Sequence, residues 1–259
     1  MTSAARKKTL RIADDFGLGR GHDRIILELI EGGRLDGTSV MINDAIRHDD
    51  IVRLRALQDA GAKVGLHLNL TQAFGEGAPV WSLASLMRPT LGPQLLHDIE
   101  ASLIRQSNKF VSLFGKLPDF YDGHQHCHCF PAIAPLVLRL PRAPRTWVRV
   151  PLPATWAARW RNLRAGGAKG LIIMAMAARA RAIFVRADLQ TNKDFSGFLR
   201  LGDPGDVRMW LPRLLSEAEP DCLMMFHPGD ATDPMQCAGH APESRAAETE
   251  FLTGSTIYD

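Results

Sequence analysis

Short apolar runs alternate along this chain with longer segments in which apolar residues recur every three or four positions. The short runs predict buried strands, because a parallel strand covered on both faces is apolar at nearly every position. The longer segments predict amphipathic helices, such as the one carrying Ile25, Ile26, Leu29 and Ile30 ahead of Gly32. The predicted strands are 9–13, 38–43, 63–71, 145–150, 182–189 and 221–226, and a further extended segment is entered through 120–123 and carries the histidines of 124–128.

This alternation of about seven strands with helices favours an α/β fold, with a mostly parallel sheet and right-handed crossovers. Polar groups recur where the predicted strands end. They are Asp14 and Asp15, His67, His124 and His227. In a (β/α) barrel the chemistry is carried by the carboxyl ends of the strands. The sequence therefore predicts one domain over residues 1–259, with a functional site at one rim of its sheet.

Composition supports a globular protein rather than a fibrous, exported or disulfide-rich one. The chain has 259 residues, of which 46% are hydrophobic. Its first eight residues are basic but include no apolar signal core, so export is not expected. Cys127, Cys129, Cys222 and Cys237 are too few and too irregularly spaced for a disulfide framework. Reduced thiols and a cytoplasmic location are predicted.

Charge is unevenly distributed, although the net charge is only +3. Residues 123–187 contain eleven basic residues and no acidic one. The same region has Trp156 and Trp160 one turn apart and an apolar run at 171–178, which is too short to span a bilayer. This Arg/Trp-rich segment, about 139–186, either lies on an anionic membrane surface or packs on its own core with its arginines in solvent. No recognition motif accompanies the charge, so no nucleic acid partner is predicted.

Three histidines at alternate positions, His124, His126 and His128, are the most unusual feature of the chain. In an extended segment they would project from one face, with Cα atoms about 6.6 Å apart for each pair. Neutral imidazole is the commonest protein ligand for metals, so a metal centre is the first hypothesis. The alternative is a polar loop in which the histidines bond to neighbours. Spacing alone does not select which of the three binds an ion.

Two adjacent aspartates follow the first predicted strand. Neighbouring strand residues point to opposite faces, so Asp14 and Asp15 share a site only if the backbone bends, which Gly17 and Gly19 make easy. The alternative is a pair of turn or helix-capping residues.

Four other features extend the predicted site. His67 and Asn69 share the polar face of the third strand, which looks into a site or faces solvent at a sheet edge. Arg149 on the fifth strand meets either a polar substrate or solvent. His227 precedes a Pro-Gly turn that would by itself account for a structural role. The stretch 72–92 is too long for an ordinary βα connection and is a candidate loop over the site.

Taken in order, these motifs resemble those of the YdjC-like carbohydrate deacetylases, a family related to the wider polysaccharide deacetylases. The matching segments are 13–17, 65–71, 122–128 with Pro131, and 227–229. The resemblance implies a distorted, incomplete (β/α) barrel that removes the acetyl group from an N-acetylated amino sugar. It further implies a divalent metal bound by Asp15, His67 and His124, with Asp14 as catalytic base and His227 as general acid. Arg149, Asn69 and His126 are then the candidate substrate contacts.

The implied ligand set favours Zn²⁺, with Mg²⁺ or another divalent ion as the alternative. Around Arg149 and over 191–198 the chain looks similar to the branch associated with hopanoid lipid biosynthesis. That branch would make the substrate a lipid-linked amino sugar, and a soluble chitooligosaccharide is the other substrate class. The expected partners beyond the substrate are an anionic inner-membrane surface, contacted peripherally, and a second copy in a homodimer.

The sequence is also compatible with two functions other than a deacetylase. Another metal-dependent hydrolase, such as a phosphoesterase, also uses clustered histidine and aspartate ligands. A membrane- or glycan-binding protein with a degenerate site is the non-enzymatic alternative.

Overall fold

The computed structural model describes residues 9–74 and 80–254. Within these residues eight strands form one parallel sheet in the order β6-β5-β4-β3-β2-β1-β8-β7. They are β1 Leu10–Phe16, β2 Gly37–Val40, β3 Lys63–Leu68, β4 Phe120–Gly123, β5 Trp147–Val148, β6 Gln190–Thr191, β7 Asp194–Ser196 and β8 Cys222–Phe226. The predicted α/β class and parallel sheet are confirmed.

The strand order is that of a (β/α) barrel distorted at one place. β6 and β7 belong to one extended stretch interrupted by Asn192 and Lys193, and its first half pairs with β5 while its second half pairs with β8. The Asn192 amide bridges the interruption, because its Oδ1 accepts from the Val150 N–H at 2.6 Å and its Nδ2 donates to the Asp194 carbonyl at 2.9 Å. The predicted incomplete barrel is confirmed, with eight strands instead of about seven.

Eight α-helices accompany the described strands. They are α1 Arg20–Glu31, α2 His48–Asp59, α3 Leu83–Leu86, α4 Pro93–Phe114, α5 Ala134–Val137, α6 Trp156–Arg186, α7 Pro204–Ser216 and α8 Pro242–Gly254. The first of them, α1, contains the periodic segment of Ile25, Ile26, Leu29 and Ile30 predicted as a helix. None of the helices described here is both long and apolar enough to cross a membrane. Residues 75–79 of the predicted loop 72–92 lie outside the described residues, and α3 occupies part of the remainder.

One main core holds the sheet and helices together. Nearly every strand residue is buried, and large side chains such as Phe16, Phe110, Phe120 and Phe226 have no exposed surface. The four cysteines are buried free thiols, as predicted. Because the strands are covered on both faces, the carboxyl-terminal rim is where polar side chains from several strands meet.

Residues 182–189, predicted as the sixth strand, are instead largely the end of α6. A short apolar run has the same appearance in a buried strand and in a buried helix, and the alanines at 177, 178, 180 and 182 favour helix. The regular geometry of α6 is interrupted once, at Gly167, ahead of the predicted apolar run 171–178, and φ there is 68°. A positive φ is readily adopted by glycine, so α6 changes direction there without ending.

The prediction of an extended histidine row is also wrong. His124–Cys129 forms a tight 3₁₀ turn, in which Gln125 and His126 have φ values of 52° and 60°. The three imidazoles therefore do not share one face, and each has its own surroundings.

The buried carboxyl of Asp23 in α1 should make the protein less stable as the pH rises. Its Oδ1 accepts the Gly17 N–H at 2.5 Å. Burial, opposed by this hydrogen bond and reinforced by Asp50 and Asp233, raises the pKa of Asp23 to about 8. In the unfolded chain the pKa of an aspartate is about 4. Between about pH 4 and 8 the carboxyl is therefore protonated in the folded protein and ionised in the unfolded chain. The free energy of unfolding consequently falls as the pH rises through this range.

We therefore expect Asp23→Asn to raise the free energy of unfolding, by a margin that grows by about 1.4 kcal/mol per pH unit between about pH 4 and 8. Urea denaturation at several pH values measures this margin. The exposed Asp49 is the matched control, and Asp49→Asn should show no such growth. A margin for Asp23→Asn that stays constant across the range would contradict the expectation.

Candidate metal centre

A bulge at the end of β1 brings two adjacent carboxylates to one site. The register between β1 and β2 shifts between Ala13 and Phe16. Within this shift Asp15 has a φ of 68°, a conformation that aspartate tolerates better than most residues. Asp14 and Asp15 consequently line the same cavity, of about 90 Å³. The predicted backbone bend is present, and it lies at Asp15 itself, ahead of Gly17.

His67 from β3 and His124, which follows β4, complete a cluster around one oxygen of Asp15. The Asp15 Oδ1 atom lies 3.4 Å from His67 Nε2 and 3.2 Å from His124 Nδ1. All three potential ligand atoms lie within 4.8 Å of one another. Two ligand atoms bound tetrahedrally to Zn²⁺ at about 2.05 Å would be about 3.3 Å apart. The separations therefore fit a divalent ion of that size.

Two members of this cluster, His67 and Asp15, are each oriented by a further buried side chain. His67 Nδ1 bonds to Asp122 Oδ1 at 2.7 Å, which leaves Nε2 directed at Asp15. The second oxygen of Asp15 accepts from Arg245 Nη2 at 2.7 Å, which leaves Oδ1 directed at the histidines. A carboxylate behind a histidine is the usual support for a metal-ligating imidazole.

The electrostatic surroundings suit a cation. Burial raises the pKa of Asp15, but Arg245, His124 and His67 outweigh it and hold that pKa well below its usual range. Asp15 is therefore ionised at neutral pH, as a ligand must be. Burial lowers the pKa of His67, yet the Asp122 and Asp14 carboxylates raise it to about 10. Since carboxylates dominate around His67, a bound cation would take the place of its extra proton.

A second group, Asp14, His67 and Asp122, has similar spacing. Its two carboxylates, however, are already paired with the guanidinium of Arg149. The fully buried Arg149 donates from Nη1 and Nη2 to the two oxygens of Asp14, the latter at 2.6 Å. Its Nη2 also lies 3.1 Å from Asp122 Oδ2. Arg149 is fully buried, so the solvated alternative predicted from the sequence is not what the structure shows, and its side chain does not line the 90 Å³ cavity. Its predicted contact with a substrate stays a prediction. It orients and neutralises Asp14.

Removing the Arg149 charge should therefore destabilise the fold. In Arg149→Met the carboxylates of Asp14 and Asp122 would be buried without a counter-ion, which we expect to lower the free energy of unfolding by about 3 kcal/mol. Arg149→Lys keeps the charge but loses the two-pronged contact and should cost less. Urea denaturation of both variants tests this order. Equal stability of Arg149→Met and the wild type would contradict the assigned role.

Three further residues were predicted as site residues, and two of them line the cavity beside the Asp15–His67–His124 cluster. His227 lines the cavity, with Nε2 3.8 Å from Asp14 Oδ2. His126 also lines it, with its ring edge-on to Phe198 at 5.8 Å. Asn69 does not, because its Oδ1 accepts from the N–H groups of residues 71 and 72 and it faces a separate groove. The role of Asn69 as a substrate contact stays a prediction.

The histidine turn contributes one member to the cluster. His124 faces Asp15, whereas His128 Nε2 donates to the Arg149 carbonyl at 2.6 Å. Burial lowers the pKa of His128 to about 4, which keeps its ring neutral in this structural bond. Only the contacts across the fold distinguish these histidines.

Three supporting residues were not assigned roles from the sequence: Asp122, Arg245 and Glu248. Asp122 stands two residues before His124, and this proximity is a signal that was available. Arg245 and Glu248 are fully buried one turn apart on α8, and charged residues on the inner face of a helix are the signal there. Glu248 Oε2 accepts the main-chain N–H of His227 at 2.6 Å, so α8 helps to position that histidine.

Comparison with known proteins places most of the chain in one family. The profile of the family described as "YdjC-like protein" matches residues 12–259. A chitooligosaccharide deacetylase of Serratia marcescens is 34% identical over 137 residues, which are 48% of this chain and 52% of that protein. A chitooligosaccharide deacetylase of Yersinia enterocolitica is 34% identical over 139 residues, with the same coverage. The chain thus spans about half the length of the curated relatives it matches.

A solved structure shares the fold. The protein from Enterococcus faecalis V583, whose description names cellobiose-phosphate cleavage, superposes with a TM-score of 0.64. The superposition covers 96% of this chain and 91% of that protein at 18% sequence identity. At this identity the likeness establishes the architecture alone.

Proposed function

Because this chain belongs to the YdjC-like family, we propose that it is a metal-dependent hydrolase that removes the N-acetyl group from an amino sugar. The observation that carries the proposal is the Asp15–His67–His124 cluster, whose 3.2 and 3.4 Å separations suit a divalent ion, with Asp14 beside it in the same cavity. The deacetylase relatives add support for the acetylated amino sugar.

The reaction adds water to the acetamide carbonyl carbon and breaks the bond between that carbon and the sugar nitrogen, which yields acetate and a free amine. A divalent ion bound by Asp15, His67 and His124 would polarise the carbonyl and lower the pKa of a coordinated water to about 7. Asp14 would accept the proton that the attacking water releases. Arg149 keeps both oxygens of Asp14 in place for this transfer.

His227 is the proposed donor of a proton to the departing amine. Its Nε2 faces Asp14 across 3.8 Å, and its Nδ1 lies 3.8 Å from Glu248 Oε1. Neither His227 Nδ1 nor Glu248 Oε1 has a hydrogen-bond partner among the described residues, although both are buried. A small rotation of the ring would join these two atoms and orient Nε2 toward the cavity.

The identity of the ion and of the sugar is a further part of this proposal. Two imidazoles beside one carboxylate favour Zn²⁺ over Mg²⁺, which prefers oxygen ligands. The relatives support a chitooligosaccharide as the sugar, and a lipid-linked amino sugar is the alternative that the sequence resemblance raised.

Metal analysis combined with product assays tests the proposal. Protein purified and then loaded with Zn²⁺ or Mg²⁺ is incubated with N-acetylated chitooligosaccharides and, separately, with a sugar phosphate. We expect acetate release that chelation abolishes and Zn²⁺ restores, without phosphate release. Phosphate release in the absence of acetate release would favour the phosphoesterase instead, and a protein that binds no divalent ion would overturn the proposal.

A further inference from the structure

The outer side of α6 after the Gly167 break is an exposed face of unusual composition. Its members follow helical spacing, and all of them are exposed: Leu171, Ile172, Ala175, Arg179, Ala182 and Arg186. Leu171 and Ile172 keep 56% and 51% of their surface accessible. No residue of α6 is acidic. This set, the α6 outer face, is therefore apolar and positively charged, which is unlike an ordinary solvated helix surface.

The positive charge of this face is not neutralised within the described part of the protein. Arg179 and Arg186 form no ion pair with any described residue, and neither does the neighbouring Lys169. The arginines of the first half of α6 differ, because Arg161 pairs with Glu217 at 3.3 Å and Arg164 lies over the Trp210 ring at 5.6 Å. Among the residues that the structure describes, the positive charges on the second half of the helix therefore have no acidic partner.

The α6 outer face is also adjacent to the site. The inner side of the same helix, at Gly166, Gly170 and Ile173, forms one wall of the 90 Å³ cavity. The outer face begins at Leu171 and extends along the helix for about 22 Å, at 1.5 Å per residue. Before the break, Trp156 and Trp160 are 82% and 62% exposed. A surface contacted by α6 would accordingly lie close to the cavity.

We propose that the α6 outer face docks on an anionic membrane surface and holds the cavity near the lipid–water boundary. Leucine and isoleucine side chains would enter the acyl boundary, while arginines reach the anionic headgroups by extending along the helix. Exposed tryptophans favour the same boundary. A second copy of this chain is the poorer occupant, because pairing two such faces would oppose like charges.

Vesicle flotation tests this proposal and does not depend on the proposed catalytic activity. The full chain is mixed with vesicles of phosphatidylcholine alone, or of equal parts phosphatidylcholine and phosphatidylglycerol. We expect it to float with the second and not the first, and to be released by high salt. The double variant Arg179→Gln/Arg186→Gln should bind the anionic vesicles about 30-fold more weakly. Leu171→Gln/Ile172→Gln should weaken binding at least about tenfold.

The matched control variant removes two positive charges from a surface outside α6. Arg55 and Arg88 are exposed outside α6, and Arg55→Gln/Arg88→Gln should bind like the wild type. Circular dichroism and a thermal melt establish that each variant is folded. Absence of wild-type binding to the anionic vesicles, or equal loss in the control, overturns the proposal. So does a dimer in sedimentation that Leu171→Gln/Ile172→Gln converts to monomer, since the face would then be a self-association surface.

Discussion

Replacing His124 by alanine should deprive the protein of its metal ion and with it of nearly all turnover. His124 Nδ1 and His67 Nε2 converge on the same Asp15 oxygen, at 3.2 and 3.4 Å. Loss of a residue that only supports a ligand typically costs 10–100-fold in ion affinity, so loss of a ligand should cost more than about 100-fold. Isothermal titration with Zn²⁺ measures the affinity, and acetate release measures the consequence.

His126→Ala is the matched control for this prediction. His126 lies in the same turn and lines the same cavity, but its ring packs against Phe195 and Phe198 and not against Asp15. The variant His126→Ala should therefore bind the ion as tightly as the wild type does, even if its binding of substrate changes. If His126→Ala lost the ion and His124→Ala kept it, the ligand set proposed here would be wrong.

Asp14→Asn should differ from His124→Ala in its metal content. We expect it to retain the ion while its turnover falls by about 10²–10⁴-fold. Both oxygens of Asp14 are held by Arg149, which leaves this carboxylate positioned beside the cluster without needing to be a ligand. An amide cannot accept the proton of the attacking water as a carboxylate does. The loss should fall mainly on kcat, with KM little changed, because the interaction acts in the transition state.

Metal content separates the roles of the two aspartates. Asp14→Asn should contain as much Zn²⁺ as the wild type, and Asp15→Asn should contain much less. Loss of the ion from Asp14→Asn would make Asp14 a ligand and leave the reaction without its proposed base. Because Asp14→Asn leaves Arg149 facing a neutral amide, a thermal melt is needed to show that the variant is folded.

Much of the architecture follows from local pattern. The apolar runs around Ile12, Val64 and Met224 are buried strands because burial on both faces requires apolar residues at nearly every position. The pattern was ambiguous at 182–189, where the apolar residues belong to a helix. It was also misleading at the histidine turn, because alternate spacing is informative only if the backbone is extended.

By itself, the sequence determined the alternation of strands and helices, the accumulation of acidic and imidazole groups at strand ends, and the unbalanced charge of the middle of the chain. These properties depend on residue type and periodicity, which are local. Tertiary structure alone decided that His124 and not His128 faces Asp15, that Arg149 pairs with Asp14, and that Arg245 holds the other oxygen of Asp15. Those contacts join residues 109, 135 and 230 positions apart. Such pairings follow from the curvature of the whole sheet and the docking of α8, which no local pattern specifies.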